Sequence, residues 1–252
     1  MKCSMTSTVV SGHLVCSSTA IEASTQQNIL DSLLFSQLYA DDKYARLDSP
    51  GQWSDEHDNA MRNLKWMLSD LRVNTIRPGP EERFNIGRVL DQELCRRLPD
   101  SAADDVRQML KRIAAIEPDA APQILFKTHV MNALTDEPGN GLPAVDSGQV
   151  PAPQATVVNL MLSYVAAGEM LFTCVIAFKT TAAVQNDLFD QSFTSSEIIG
   201  SVDIRFVKRH LDLAAFKQVR DKVERFLEGR RDGLILPLCH AEPDQSDGVS
   251  HG

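Results

Sequence analysis

No CxxC pair occurs among the five cysteines, Cys3, Cys16, Cys95, Cys174 and Cys239. Their number is odd and their spacings are wide, which excludes the familiar zinc frameworks and a thioredoxin-type motif. The six histidines, His13, His57, His129, His210, His240 and His251, form no HExxH and no pair at ligand spacing. Cys239-His240 supplies one donor pair, too few for a metal. GxSxG is absent, and with it the hydrolase elbow. GxxxxGK[ST] and GxGxxG are absent too, and Gly139-Asn140-Gly141 precedes no helix start, so no familiar phosphate cradle exists. No repeat at solenoid or propeller period is present. Neither a cofactor nor a metal is expected.

Positive charge is also scarce. The net charge of −9 argues against a nonspecific nucleic-acid binder. Near the start, Lys2 precedes an apolar stretch too short for a signal peptide and broken by Ser11, Gly12 and His13. It reads as one strand, Thr8–Cys16. Cys95 and Cys174 sit among apolar neighbours, as small core hydrophobes do. Reduced thiols fit a cytoplasmic protein.

What the sequence does contain is a long apolar run, Thr156–Lys179. Its length would span a bilayer, but Glu169 falls inside it, where a carboxylate costs about 2.5–3.5 kcal/mol. Gly168 interrupts it, as a strand turn requires. Val157, Val158, Val165, Thr173, Val175 and Ile176 are β-branched and suit a pleated surface. The run therefore reads as two strands joined at Ala166-Ala167-Gly168. In the second, Met170, Phe172, Cys174, Ile176 and Phe178 alternate with Leu171, Thr173, Val175, Ala177 and Lys179. Both faces are largely apolar, so this strand is expected at the sheet centre, covered on both sides.

Around it the spacing predicts helices. Ser24-x-x-Gln27 has the form of a capping box, followed by Ile29, Leu30, Leu33, Leu34 and Leu38. Ser49-Pro50-Gly51 reads as a turn and Ser54 as the next helix start, with Met61, Leu64 and Leu68 on one face. Leu71–Ile76 alternates like a strand. Phe84-Asn85-Ile86 fits either a strand or a helix start. Val89, Leu90, Leu94 and Leu98 are helical up to Pro99, and Ser101 can cap a helix through Ile113 that forms a hairpin with it. Ile124–Met131 reads as a strand. Residues 132–154, rich in Pro and Gly, form a long loop. Ile198–Val207 is a further strand, Asp212 caps a last helix closed by Gly229 or Gly233, and Leu234–Cys239 is a short strand.

The fold class expected is α+β, an antiparallel β-sheet meander covered by amphipathic helices. Residues 1–240 make a single domain and 241–252 a disordered tail. The carboxylate pairs Asp41-Asp42, Glu81-Glu82 and Asp104-Asp105 are sequence neighbours, which do not face each other on a helix. Cys16 and His13 lie three apart on a strand, on opposite faces. The most positive stretch surrounds the last helix. Lys208, Arg209, Lys217, Arg220, Arg230 and Arg231 form a candidate docking surface for an acidic partner or anionic head groups. With no catalytic motif, the first expectation is a non-catalytic protein that binds another macromolecule or itself. The first alternative is a membrane-active, pore-forming protein, similar to cytolysins in the order of its elements alone. The second is an enzyme whose site lies between the 132–154 loop and the sheet edge. Such a site requires a pocket with convergent polar groups and a desolvated acid or base.

Overall fold

A computed structural model of the chain describes residues 5–134 and 155–238. The break at Ser11-Gly12 is a turn between two strands, not an interruption in one. Here β1 (Met5–Val10) and β2 (His13–Ser18) pair antiparallel. Ser11 and Gly12 both take positive φ, 47° and 84°, as a two-residue type I′ hairpin requires. The single strand expected over Thr8–Cys16 is therefore a hairpin.

Helix α1 (Ala23–Asp41) follows the spacing of its leucines. Its N-cap is Glu22 rather than Ser24, whose hydroxyl donates to Glu22 Oε1 at 2.7 Å. Helix α2 (Pro50–Asn63) begins at the residues expected to form a turn. Proline is favoured at the first helical position because its fixed φ suits the helix and its missing N–H would be unpaired there anyway. Leu64 ends this helix, and β3 (Trp66–Ile76) begins after Lys65 turns the chain at φ 71°. Phe84-Asn85-Ile86 is both things the sequence allowed. It closes β4 (Arg83–Asn85) and opens α3 (Ile86–Glu93), with Asn85 accepting from the Arg88 amide at 2.8 Å. A 3-10 turn, Cys95–Arg97, leads to α4 (Asp100–Ala115), whose N-cap is Pro99 and not Ser101.

Helix α5 (Ala121–Val130) corrects the strand expected over Ile124–Met131. Pro122 starts it, and only β5 (Met131–Leu134) is extended. Then β6 (Ala155–Ala166) and β7 (Met170–Thr180) form the hairpin read from the apolar run, with Gly168 and Glu169 at positive φ in the turn. The short β8 (Ser192–Thr194) pairs with β4. Strand β9 (Ile198–Leu211) outruns its expected end by four residues, 208–211. The last helix is two pieces, α6 (Leu213–Phe216), capped by Asp212 as expected, and α7 (Arg220–Leu227). The chain then reaches β10 (Ile235–Pro237).

The α+β class holds. The main sheet has eight strands in the order β10-β1-β2-β6-β7-β9-β3, with β5 beside β6. It is mixed rather than purely antiparallel, because β2 runs parallel to β6. Both faces of β7 are covered. Cys174, Ile176 and Phe178 join the large core with residues of α3, α4 and α5. On the other face Leu171 packs with α1 and α7, and Met161 and Val175 pack with Trp53 of α2. No helix among the described residues is long and apolar enough to cross a membrane. Of the loop expected over 132–154, residues 132–134 belong to β5; the rest of it, and the tail expected over 241–252, lie outside the described residues.

Candidate functional site

Helix α2 crosses the sheet face that carries Leu171 and Val175. Trp53, His57, Ala60 and Met61 are its buried residues, at the i, i+4, i+7, i+8 spacing of one helix face. The Trp53 and His57 rings stack 5.2 Å apart at 19°. Beneath, β9 presents Arg205, Val207 and Arg209 opposite Val175, Thr173 and Leu171 of β7. Between helix and sheet lies a cleft of about 190 Å³. Its polar lining includes Ser54, His57, Asp58, Asn159, Thr173, Arg205 and Arg209; Met161, Val175, Ala177, Val207 and Val73 supply most of its apolar lining.

Asp58 is the hub of the polar end. Its two carboxylate oxygens accept from Arg205 Nη2 and Arg209 Nη2. Arg205 Nη1 also donates to Ser54 Oγ at 2.7 Å. Burial pushes Asp58 upward, but the His57 ring and the guanidiniums of Arg209 and Arg205 outweigh it and hold the carboxyl well below the usual range. Nδ1 of His57 stands 3.7 Å from Asp58 Oδ1, too far for a hydrogen bond, so that contact is electrostatic. His57 is held below the ordinary histidine value, first by burial. It is a desolvated base.

A second buried polar chain runs deeper. His13 Nε2 lies 2.8 Å from Ser163 Oγ, and Ser163 Oγ lies 2.6 Å from Thr173 Oγ1 at the cleft. Burial, then His57, then Arg46 lower the His13 pKa. Arg46 lies over the Trp53 ring at 4.4 Å and donates to the Ser11 carbonyl at 2.8 Å. This ties the first hairpin, α1 and α2 into one polar knot. Among the described residues, His13 Nδ1 and His57 Nε2 have no hydrogen-bond partner.

The cleft opens beside β3. This eleven-residue strand pairs with β9 on one side and has no neighbour on the other among the described residues. It carries Met67 (51% exposed), Leu68 (54%), Leu71 (43%) and Val73 (69%). A bulge separates Leu68 from Asp70.

Of the basic residues singled out in the sequence, Arg220 and Arg231 line one shallow hollow beside α7. Arg209 is only 5% exposed and lies under α2. Lys208, on the opposite face of β9, sits 5.2 Å over Phe172. Arg220 pairs with Glu224 at 2.8 Å, Arg230 with Asp42 at 3.3 Å and Arg231 with Asp31 at 2.6 Å. Lys217 is exposed after α6. The carboxylates have structural partners too: Asp41 accepts from Trp53 Nε1 at 2.6 Å, Glu82 from the Gly79 amide and Asp104 from Arg107. Cys16 turns away from His13 toward Met5, and burial pushes its thiol up to about 12. No group of three or more metal-ligating side chains occurs among the described residues.

The sequence analysis missed His57, Asp58, Arg205 and Asn159 as a cluster. The available signal was inward-facing arginine at alternate positions of an apolar strand, Arg205 and Arg209, which demands a buried anion. Its partner on α2 could not be read without the register. No protein-family model matches the chain, and no curated protein matches it.

Proposed function

We propose that the chain acts by macromolecular binding, and that the partner is a second copy docked along the open edge of β3. The observation that carries this is the edge itself, eleven residues long with large apolar side chains more than 40% exposed. Unpaired strand edges are templates for pairing, and proteins normally shorten or cover them. Charge selects the occupant. In a two-fold antiparallel pair centred on Leu71, Asp70 of each copy faces Arg72 of the other. Centring on Asp70 or Arg72 opposes like charges, which is unfavourable across strands. The pair centred on Leu71 also places the two Leu71 side chains together.

Light scattering after size-exclusion chromatography tests it. The wild type is expected as a dimer and Leu71→Lys as a monomer that still unfolds cooperatively, with a melting temperature no longer dependent on protein concentration. Asp70→Arg and Arg72→Asp should each weaken the dimer, and the double swap should restore it. A wild-type monomer, or a double swap no better than the singles, overturns the reading.

A cytoplasmic setting is supported by three free, buried thiols, Cys16, Cys95 and Cys174. The docking role of Lys208, Lys217, Arg220 and Arg230 stays a proposal; it predicts pull-down of acidic partners that high salt abolishes. Pore formation is the alternative, tested by dye leakage from anionic liposomes. The enzyme alternative gains one observation, the desolvated His57 in a cleft with convergent polar groups. That cleft lies under α2.

A further inference from the structure

The cleft beneath α2 has two unlike halves. One half is apolar, floored by Val175 and Ala177 with Met161 and Val73 beside them. The other holds Arg205 and Arg209, which share the single carboxylate of Asp58. Arg62 borders the outer side of the same cluster, and its positive charge acts on Arg209. Three cations therefore act around one carboxylate at this end. Asp55 borders the outer hollow as well, but Asp58 is the one that takes both β9 arginines. A buried guanidinium gains most from a carboxylate, which matches its planar donors. At the far end of the cleft stands Asp203, which accepts from Thr75 Oγ1 at 2.9 Å. It repels an anion from that end and drives the charged head of a ligand toward the arginines.

We propose that this cleft binds a small carboxylic acid with an apolar body, its carboxylate on Arg205 and Arg209 and its body over Val175 and Ala177. A volume of about 190 Å³ is below that of drug-sized pockets, which run from about 300 Å³ upward. The body is thus one ring or a short chain. The site does not depend on pairing at β3, because Leu71→Lys leaves this lining intact.

Isothermal titration of the full chain with benzoate tests the proposal, with benzamide as the uncharged isostere and inorganic phosphate as a head group without a body. Benzoate is expected to bind at one site per chain, with affinity falling as salt rises. Benzamide should bind about ten-fold more weakly or worse, since it cannot form the charge-assisted pairs. Arg209→Met removes a cation but leaves Asp58 short of a partner, so it can fail to fold. Ala177→Phe avoids that problem by filling the floor away from the ion cluster. It should abolish benzoate binding and keep the wild-type melting curve. No saturable benzoate binding at millimolar concentration overturns the proposal. So does benzamide or phosphate binding as tight as benzoate, and so does a folded Ala177→Phe chain that binds benzoate like the wild type.

Discussion

At the scale of single residues, Asp58 decides whether α2 can lie on the sheet. Without it, Arg205 and Arg209 would lose the carboxylate that accepts from both of them under the helix. Breaking a buried ion cluster by removing one partner costs about 3–5 kcal/mol, although partial exposure of Asp58 and Arg205 places the expected loss at the lower end. Asp58→Ala should therefore lower the urea midpoint sharply. A conservative Asp58→Glu should recover part of the loss, because the charge returns on a longer arm. Ser163→Ala should cost about 1–3 kcal/mol, since it strands His13 Nε2 and Thr173 Oγ1 in the interior. Chemical denaturation of each variant checks both. In the sequence only the shared strand face of Arg205 and Arg209 hints at this, and Arg209 looks like a neighbour of Lys208 in a basic cluster. Adjacent residues of a strand point to opposite faces, so one arginine went under a helix while the lysine beside it stayed on the other side.

At the scale of elements, apolar periodicity read well where it was long and failed where it was short. The hairpin of β6 and β7, helix α1 and the Asp212 cap all follow local rules that need no partner. Residues 124–131 are few, with Lys127, Thr128 and His129 between apolar ends, and so short a run cannot be divided between helix and strand by period alone. Pro50 reads as part of a turn in the sequence, yet it stands in the first turn of a helix, as Pro122 does. Two glycines make a matched test of turn chemistry. Gly168 (φ 74°) has open space around the position a Cβ would take, so Gly168→Ala should cost only the left-handed conformation, about 1–2 kcal/mol. Gly12 (φ 84°) would place its Cβ 2.4 Å from Cβ of His129. Gly12→Ala must in addition push α5 off the first hairpin and should cost clearly more. Thermal melts of the two variants side by side decide it.

At the scale of the whole molecule, the helical layer over one face of the sheet rests on two neutral histidines. His13 faces His57, Arg46 and Ser163; His57 faces Asp58, Arg209 and Arg46. Both are held below the ordinary value of about 6.5. The unfolded chain then binds more protons than the folded one below that pH. Stability is full above about pH 6.5 and falls as the pH drops, by at most about 1.4 kcal/mol per pH unit for each histidine. Urea midpoints at pH 7.5 and 5.5 should show the loss, and His57→Asn should flatten it. The α+β class was legible because strand and helix periods differ. The parallel contact of β2 with β6 was not, because nothing local records a pairing between residues 13–17 and 161–165. That contact has a consequence for synthesis. On the ribosome the first hairpin emerges while its neighbours β6 and β10 are still untranslated. Its apolar strands must wait, unpaired on both flanks, through most of elongation. A chain built this way is most exposed to misassociation before β6 and β10 are made, and nascent-chain chaperones have their longest opportunity at this hairpin.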